Sequence, residues 1–184
     1  MSEEGDVRLL VKRAARSDPD AWEEIFRRSH GKLFSYARRR TSSVHSAEDA
    51  VSETMVRAME QISRFSWRGV GFDAWLFGIM RNVILEGYRS DAKARRDRSF
   101  RPEQSPRLDP LETVVALDDA ERVRRAFSRL LPNEQEVLEL RVVAELSSDG
   151  AAAVLGKNPG AVRMAQARAL DKLRNFLTEV DRGD

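Results

Sequence analysis

Cysteine is absent from the 184-residue chain, and histidine occurs only twice, as His30 and His45. Without cysteine the protein can form no disulfide, no thiol switch and no cysteine-based zinc site. Neither histidine stands in an HExxH array or another ligand-spaced pattern, so both are expected at the surface or in packing. We therefore expect no metal and no other cofactor.

Long apolar runs are missing as well. No stretch of about 18 apolar residues occurs, so the sequence offers no transmembrane helix. The opening residues, MSEEGDVRLL, begin acidic and lack the apolar centre of a signal peptide. We expect a folded cytoplasmic protein with no membrane insertion.

The motifs of common enzyme classes do not occur either. The chain has no GxxxxGK[ST] phosphate loop, no GxGxxG after a strand and no GxSxG nucleophile turn. Its carboxylates are expected on polar helix faces, and not in an apolar pocket that would shift their pKa values. The sequence therefore argues against an enzyme.

Charge is abundant and nearly balanced, but the two signs are segregated. The formal net charge is +2, from 32 basic and 30 acidic residues. Bases gather in residues 27–40, 89–107 and 156–174, whereas acids gather in 48–60 and 117–145. Solvated helix faces could explain one such cluster. Three basic clusters together favour a polyanionic partner on one side and a protein partner on another.

Apolar residues at helical spacing predict four helices in the first half of the chain. The second should be capped by Asp18 with Pro19 in its first turn and reach about Arg40; residues 41–45 read as a turn, and Ser46 should cap the third. The apolar stripe over residues 72–89 is almost unbroken. Because one helix cannot bury that stripe alone, residues 1–89 should form one all-α domain.

Residues 90–116 break the pattern, with three prolines and the basic run KARRDRSFR, and predict a flexible linker. Residues 117–184 predict a second small helical domain, whose first helix is capped by Asp118 or Asp119. A short helix capped by Ser147 or Ser148 and stopped at Gly156 precedes a long final helix, which is typical of a helix-turn-helix. The inner faces of these helices should include Val123, Phe127, Leu130, Val137, Leu140, Val143, Val162, Ala169, Leu170 and Leu173.

Two blocks carry a family resemblance. AEDAVSETMVRAM (47–59) followed by FDAWLFGIMRN (72–82) resembles region 2 of bacterial sigma factors, and residues 131–173 resemble their region 4. With only a short linker between them, the chain is similar to the extracytoplasmic-function (ECF) group of the sigma-70 family. The resemblance implies a dissociable subunit of core RNA polymerase, controlled by an anti-sigma factor.

The resemblance also implies which surfaces bind polymerase. The third helix would dock on the β′ clamp helices, where a merely solvated charged face is the alternative reading. The apolar surface of residues 131–143 would meet the β flap. The linker bases Lys93, Arg95, Arg96 and Arg98 would face nucleic acid or an acidic channel wall, or act as a solubilising tether. The residues implied in clamp binding are Glu48, Asp49, Glu53 and Arg57.

Promoter DNA would be read at two places. Opening the −10 element requires unstacking a base, which costs a few kcal/mol and has to be offset by base capture, aromatic stacking and phosphate neutralisation. Asn82 stands at the family's base-contacting position, whereas Trp75 keeps core spacing and should pack. The −10 and melting residues implied are Phe65, Trp67, Arg68, Arg81, Asn82 and Arg89.

The final helix would enter the major groove of the −35 element, where arginine reads guanine and glutamine reads adenine. The implied −35 residues are Lys157, Asn158, Arg163, Gln166 and Arg168. Ala165 and Gln166 depart from the arginine and leucine of many relatives, and Asp149-Gly150 replaces a more helix-favouring acidic pair, so the family's −35 sequence does not carry over.

Two other classes remain open. A stand-alone helix-turn-helix regulator would bind DNA without polymerase, and a helical adaptor would bind only proteins. A promoter gel shift with and without core polymerase distinguishes the first alternative from a sigma factor. Measuring binding at increasing salt concentration distinguishes the second, since binding to nucleic acid weakens with salt.

Overall fold

The structure, a computed structural model, describes residues 3–67, 70–97 and 114–181, with side chains for 5–67, 70–90 and 121–179. Over these ranges the chain is all-α, as predicted, and no helix has the length and apolar character needed to cross a bilayer. The helices are α1 (Glu3–Ala14), α2 (Pro19–Arg38), α3 (Val44–Gln61), α4 (Phe72–Asp97), α5 (Val114–Ser128), α6 (Pro132–Leu138), α7 (Ser148–Leu155) and α8 (Pro159–Asp181).

Helices α1 to α4 form the first unit. The junction between α1 and α2 follows the local sequence signals. Asp18 caps α2 by accepting hydrogen bonds from the Asp20 and Ala21 amides at 3.1 and 3.4 Å, ahead of Pro19. The Trp22 indole donates to the Ala14 carbonyl at 3.1 Å and so ties α1 to α2. The predicted cap of α2 is confirmed.

The start of α3 differs from the prediction. The helix begins at Val44, inside the predicted turn, and its cap is Ser43 and not Ser46. The Ser43 backbone is extended, and its hydroxyl accepts from the Ser46 amide at 3.0 Å. The residue that we took for the cap is therefore the amide donor, which lies three positions inside the helix.

Helix α4 is the centre of the first unit. Leu76, Phe77 and Met80 are fully buried among α2 and α3. The helix does not end near Arg89 but runs to Asp97. Residues 90–97, SDAKARRD, contain no glycine or proline and several strong helix formers, and the first proline is at position 102, so nothing local stops the helix earlier.

The second unit comprises α5 to α8 and a five-residue π-helical turn, Glu139–Val143, that follows α6. Ser147 caps α7, and Asn158 accepts from the Ala161 amide at 2.7 Å at the start of α8, as predicted. The expected caps Asp118 and Asp119 instead lie inside α5, which already begins at Val114 after the last proline of the linker.

Two apolar positions of the second unit are more exposed than predicted. Val123 is 47% and Leu170 is 38% exposed, although both were assigned to inner faces. The stripe of α8 that packs includes Val162, Ala169 and Leu173. Leu170 follows Ala169 directly and is therefore turned about 100° around the helix, away from that stripe.

The two units pack against each other, which the sequence did not predict. Helix α7 lies along α4, and buried residues of both units belong to one apolar cluster. A Cβ placed on Gly150 of α7 would lie 3.1 Å from the Cβ of Ala74 on α4, so the two helix backbones approach closely at that point. The second unit thus covers part of the surface on which the −10 residues were expected.

Gly156 ends α7 in the left-handed conformation, with φ 64° and ψ 35°. We expect Gly156→Ala to lower the free energy of unfolding by about 1–2 kcal/mol, because a Cβ is disfavoured at this φ. Chemical denaturation followed by circular dichroism measures the change. Gly31→Ala lies mid-helix in open space and should be neutral or stabilising; equal losses in both variants would contradict the explanation.

Candidate nucleic-acid interface

Four aromatic side chains meet where the α3–α4 loop joins α4. The Phe65 ring lies 5.0 Å from Trp67, 5.5 Å from Phe72 and 5.1 Å from Trp75, between ring centroids. The Arg8 guanidinium lies 4.8 Å above the Trp67 ring. Phe65 and Trp67 are therefore half-buried, and their rings hold the loop in place.

A hollow of about 460 Å³ opens beside this aromatic cluster. Phe65, Trp75 and Asn82 line one side of it, and Ala153 and Val154 of α7 line another. Trp75, expected only to pack, both packs against Phe65 and borders the hollow. The arrangement offers aromatic edges and two side-chain amides, those of Gln61 and Asn82, within a single recess. These are groups that can stack on a base and hydrogen-bond to its edge.

The charged −10 candidates on α4 have different surroundings. Arg81 is half-buried, and its Nε donates to Oε1 of Glu136, on α6, at 3.0 Å. Asn82, the next residue, is exposed at the hollow, and Arg89 is exposed farther along α4. Arg68 lies outside the described residues. The structure brings Phe65 and Asn82 together at the hollow, with Trp67 packed against Phe65, whereas Arg81 is directed to Glu136 on α6.

The face of α3 implied in clamp binding is charged and mostly open. Glu48, Asp49 and Glu53 are exposed. Arg57 instead bridges two helices, with Nε 2.6 Å from Glu53 and Nη1 2.7 Å from Glu86 on α4. The hydrogen bond that Arg57 donates to Glu53, followed by the one that it donates to Glu86, holds the pKa of Arg57 above its usual value. Arg57 therefore orients the acidic face of α3 as well as carrying charge on it.

The −35 candidates lie around the start of α8. Lys157, Arg163 and Arg168 are exposed, as a groove-reading helix requires. Gln166 is half-buried, and its Oε1 accepts from Nε of Arg141 at 2.9 Å, so its amide is engaged within the helix-turn-helix. This contact places Gln166 in a different setting from the two arginines, and no sequence signal distinguished it.

A group of ion pairs between the units was missed at the sequence level. Arg40 pairs with Glu139, Arg39 Nη1 lies 3.6 Å from the same carboxylate, and Lys32 pairs with Glu145. Glu139 is only 3% exposed, and burial raises the pKa of its carboxyl despite the two arginines. The basic cluster at 27–40 and the acidic cluster at 117–145 were visible in the sequence, but not that they face each other.

Family models match both units. The model for Sigma-70 region 2 matches residues 25–94, and that for Sigma-70, region 4 matches residues 120–173. The first range contains α3, the loop and most of α4. The second contains α7 and the larger part of α8, the two helices of the helix-turn-helix.

Individual relatives agree with these matches. The ECF RNA polymerase sigma factor BldN of Streptomyces coelicolor is 33% identical over 178 residues, covering 92% of the chain, which spans 65% of that relative's length. SigD of Mycobacterium tuberculosis is 30% identical, covering 90% of the chain and 81% of the relative. The solved structure of CnrH with the cytosolic domain of CnrY has a TM-score of 0.67 at 27% identity, covering 94% and 97% of the respective chains.

Proposed function

Because the chain belongs to the extracytoplasmic-function group of the sigma-70 family, we propose that it binds core RNA polymerase as an alternative sigma factor. It directs initiation to chosen promoters by reading −35 and −10 elements and promoting strand opening. It acts by binding, in the cytoplasm, without a chemical step of its own. The observation that carries the proposal is the presence of both sigma regions, in this order, in one chain.

Strand opening at the −10 element is assigned to the first unit. A flipped base enters the hollow beside Asn82, stacks on the aromatic cluster and is held by the amide. Arg81 and Arg89 neutralise phosphates along α4. The support for this assignment is the recess itself, because capture of the unstacked base offsets the few kcal/mol that unstacking requires.

The remaining contacts are assigned to separate faces. The acidic face of α3 docks on the β′ clamp helices, where charge complementarity speeds association. Arg163 and Arg168 read the −35 element, and Lys157 with the α8 amides holds phosphate. The exposed Leu131 and Val142 meet the β flap. A dedicated anti-sigma factor holds the protein inactive.

Run-off transcription tests the function. The protein is mixed with core polymerase on a library of upstream regions, and transcript start sites are mapped by sequencing. Specific starts that depend on the protein are expected, and the aligned start regions give the promoter. Absence of any protein-dependent start would overturn the proposal.

The same promoters distinguish a stand-alone regulator. A sigma factor should shift promoter DNA strongly only with core polymerase present. Strong sequence-specific binding by the chain alone, unchanged by polymerase, would instead favour a regulator that acts without it.

We expect Arg163→Ala to relax preference at one −35 position by about tenfold, because a bidentate guanidinium contact to guanine is lost. Lys157→Ala is the matched control and should weaken all −35 sequences alike while lowering the salt dependence. Competition binding of the holoenzyme to promoters with single −35 substitutions measures both. A uniform loss for Arg163→Ala would reassign Arg163 to phosphate contact.

A further inference from the structure

The acidic side of α6 and the π-helical turn after it faces a row of bases on the first unit. Glu136 is the centre of this contact. Its Oε1 accepts from the Tyr36 hydroxyl at 2.9 Å and from Nε of Arg81 at 3.0 Å. Arg81 was assigned above to the DNA phosphates at the −10 element, so Glu136 occupies a group that DNA would use.

Further ion pairs extend the contact along α2 and the two residues that follow it. Glu139 pairs with Arg40 and lies near Arg39, and Glu145 pairs with Lys32. The Arg40 guanidinium stacks 3.8 Å over the Tyr36 ring, which brings it close to the Arg81 end of the row. We call Lys32, Arg39, Arg40 and Arg81 the basic strip. Each of its four members faces a carboxylate of the second unit.

The apolar part of the contact lies beside the basic strip, over the hollow. Ala153 and Val154 of α7 form a wall of the recess that contains Asn82, and Gly150 allows α7 to approach Ala74. A base entering the recess next to Asn82 would have this wall at its side. Charge and shape thus place the second unit against both the phosphate-facing and the base-facing parts of the first.

We propose that the basic strip binds the phosphates of single-stranded DNA, and that in the free chain Glu136, Glu139 and Glu145 hold the strip closed. The inference rests on the proposed function. It adds a binding surface formed by α2, the two residues after it and α4, and a reason why that surface does not bind DNA in the free protein. Carboxylate and phosphate oxygens accept the same charge-assisted hydrogen bonds from arginine and lysine. They therefore compete for the strip, and the units have to separate before DNA binds.

Competition of this kind has a measurable consequence. When only a fraction of the molecules is open, the apparent dissociation constant for DNA is the intrinsic constant divided by that fraction. A substitution that opens the contact without touching the strip therefore tightens DNA binding by the full chain. A substitution of equal charge elsewhere does not.

The experiment compares Glu136→Lys with Glu179→Lys. The first places a lysine against Arg81 and opens the contact. The second makes the same charge change on α8, where Glu179 pairs with Arg129 at 2.7 Å inside the second unit. Fluorescence anisotropy with a labelled single-stranded oligonucleotide of mixed sequence measures affinity for the full chain, at two salt concentrations. Circular dichroism confirms that both variants are folded.

We expect Glu136→Lys to bind the oligonucleotide about tenfold more tightly than Glu179→Lys. Equal affinity of the two variants, or no binding by either, would overturn the proposal. Neither of these results bears on the sigma-factor function itself. The run-off assay tests that function, and its outcome does not depend on the contact between the units. A chain that initiates transcription but shows no difference here would retain its function and lose only the proposed competition.

A second measurement covers the case in which Glu136→Lys fails to fold. The chain has no cysteine, so Ala74→Cys combined with Gly150→Cys introduces one pair of thiols. The two Cβ positions are 3.1 Å apart and need to separate by a few tenths of an ångström for a disulfide. Oxidation should join them in the free chain, and excess oligonucleotide should slow the joining severalfold. Joining that is unaffected by the oligonucleotide would contradict the competition.

Discussion

Replacing Asn82 by alanine is expected to lower open-complex formation by about 10- to 100-fold while polymerase binding stays unchanged. The side chain is exposed at the hollow and borders the aromatic cluster. Hydrogen bonds to a captured base contribute about 1–3 kcal/mol, and this contribution arises only after the strands open. Permanganate footprinting of unpaired thymines measures opening, and native gels with core polymerase measure binding.

The control for this prediction is Asn175→Ala, which removes the same side chain from an exposed position late on α8. It should leave both measurements unchanged. Trp67→Ala is also expected to reduce opening, but that ring packs against Phe65 and beneath Arg8, so loss of loop structure contributes to its effect. If Asn82→Ala reduced opening and polymerase binding equally, the base-capture role of Asn82 would be wrong.

Helix starts were predicted well where the capping side chain and the backbone amide that it accepts from lie within one turn. The caps at Asp18, Ser147 and Asn158 each depend on an amide two or three residues away. Such contacts need no knowledge of the tertiary fold. The error at Ser46 arose inside the same motif, because Ser43 is also a serine that can cap a helix, and it begins α3 three residues earlier.

Helix ends that lacked a cap were predicted less well. We ended α4 near Arg89 because the apolar stripe stops there, yet a helix continues as long as its residues favour helical backbone and no proline or glycine intervenes. Residues 90–97 meet that condition. Loss of an apolar stripe therefore marks where burial ends and not where the helix ends.

The candidate sites were predicted in part because their residues sit at positions matched by the family, while their surroundings depend on the tertiary structure. Arg81 and Gln166 illustrate the difference. Both were assigned to DNA, and both are held by side chains distant in sequence, Glu136 and Arg141. A pairing between residues 55 positions apart leaves no periodic trace in one sequence, so it could not be inferred without coordinates.

Opposite charges meet at the contact between the two units. Surfaces that would bind DNA carry excess positive charge, and in the free chain an acidic surface of the same molecule lies against one of them. Isolated surface pairs contribute little, but the Glu139 pair is buried and hence sensitive to loss of either partner. The strength of the closed contact should therefore depend most on Arg40 and Glu139.

Arg40→Met is expected to lower the free energy of unfolding by about 3–5 kcal/mol near neutral pH. Methionine keeps an unbranched side chain of similar length but removes the guanidinium that stacks over the Tyr36 ring. It leaves Glu139 buried without its main partner, and breaking a buried pair in this way has that magnitude. Urea denaturation monitored by tryptophan fluorescence measures the loss. Arg27→Met removes an exposed arginine from α2, where it pairs with Glu24 of the same helix, and should change stability by less than about 0.5 kcal/mol.

The loss in Arg40→Met should also depend on pH, with a sign fixed by Glu139. Burial already raises the pKa of this carboxyl, and Arg40 is the largest influence lowering it, so removing Arg40 raises the pKa further. A carboxyl whose folded pKa exceeds its unfolded value stabilises the fold below the unfolded pKa, and that contribution disappears as the pH rises through the folded pKa. The difference between Arg40→Met and the parent chain should thus shrink between about pH 7 and about pH 5. A loss that is constant over this range would mean that Glu139 leaves the contact and is solvated once Arg40 is gone.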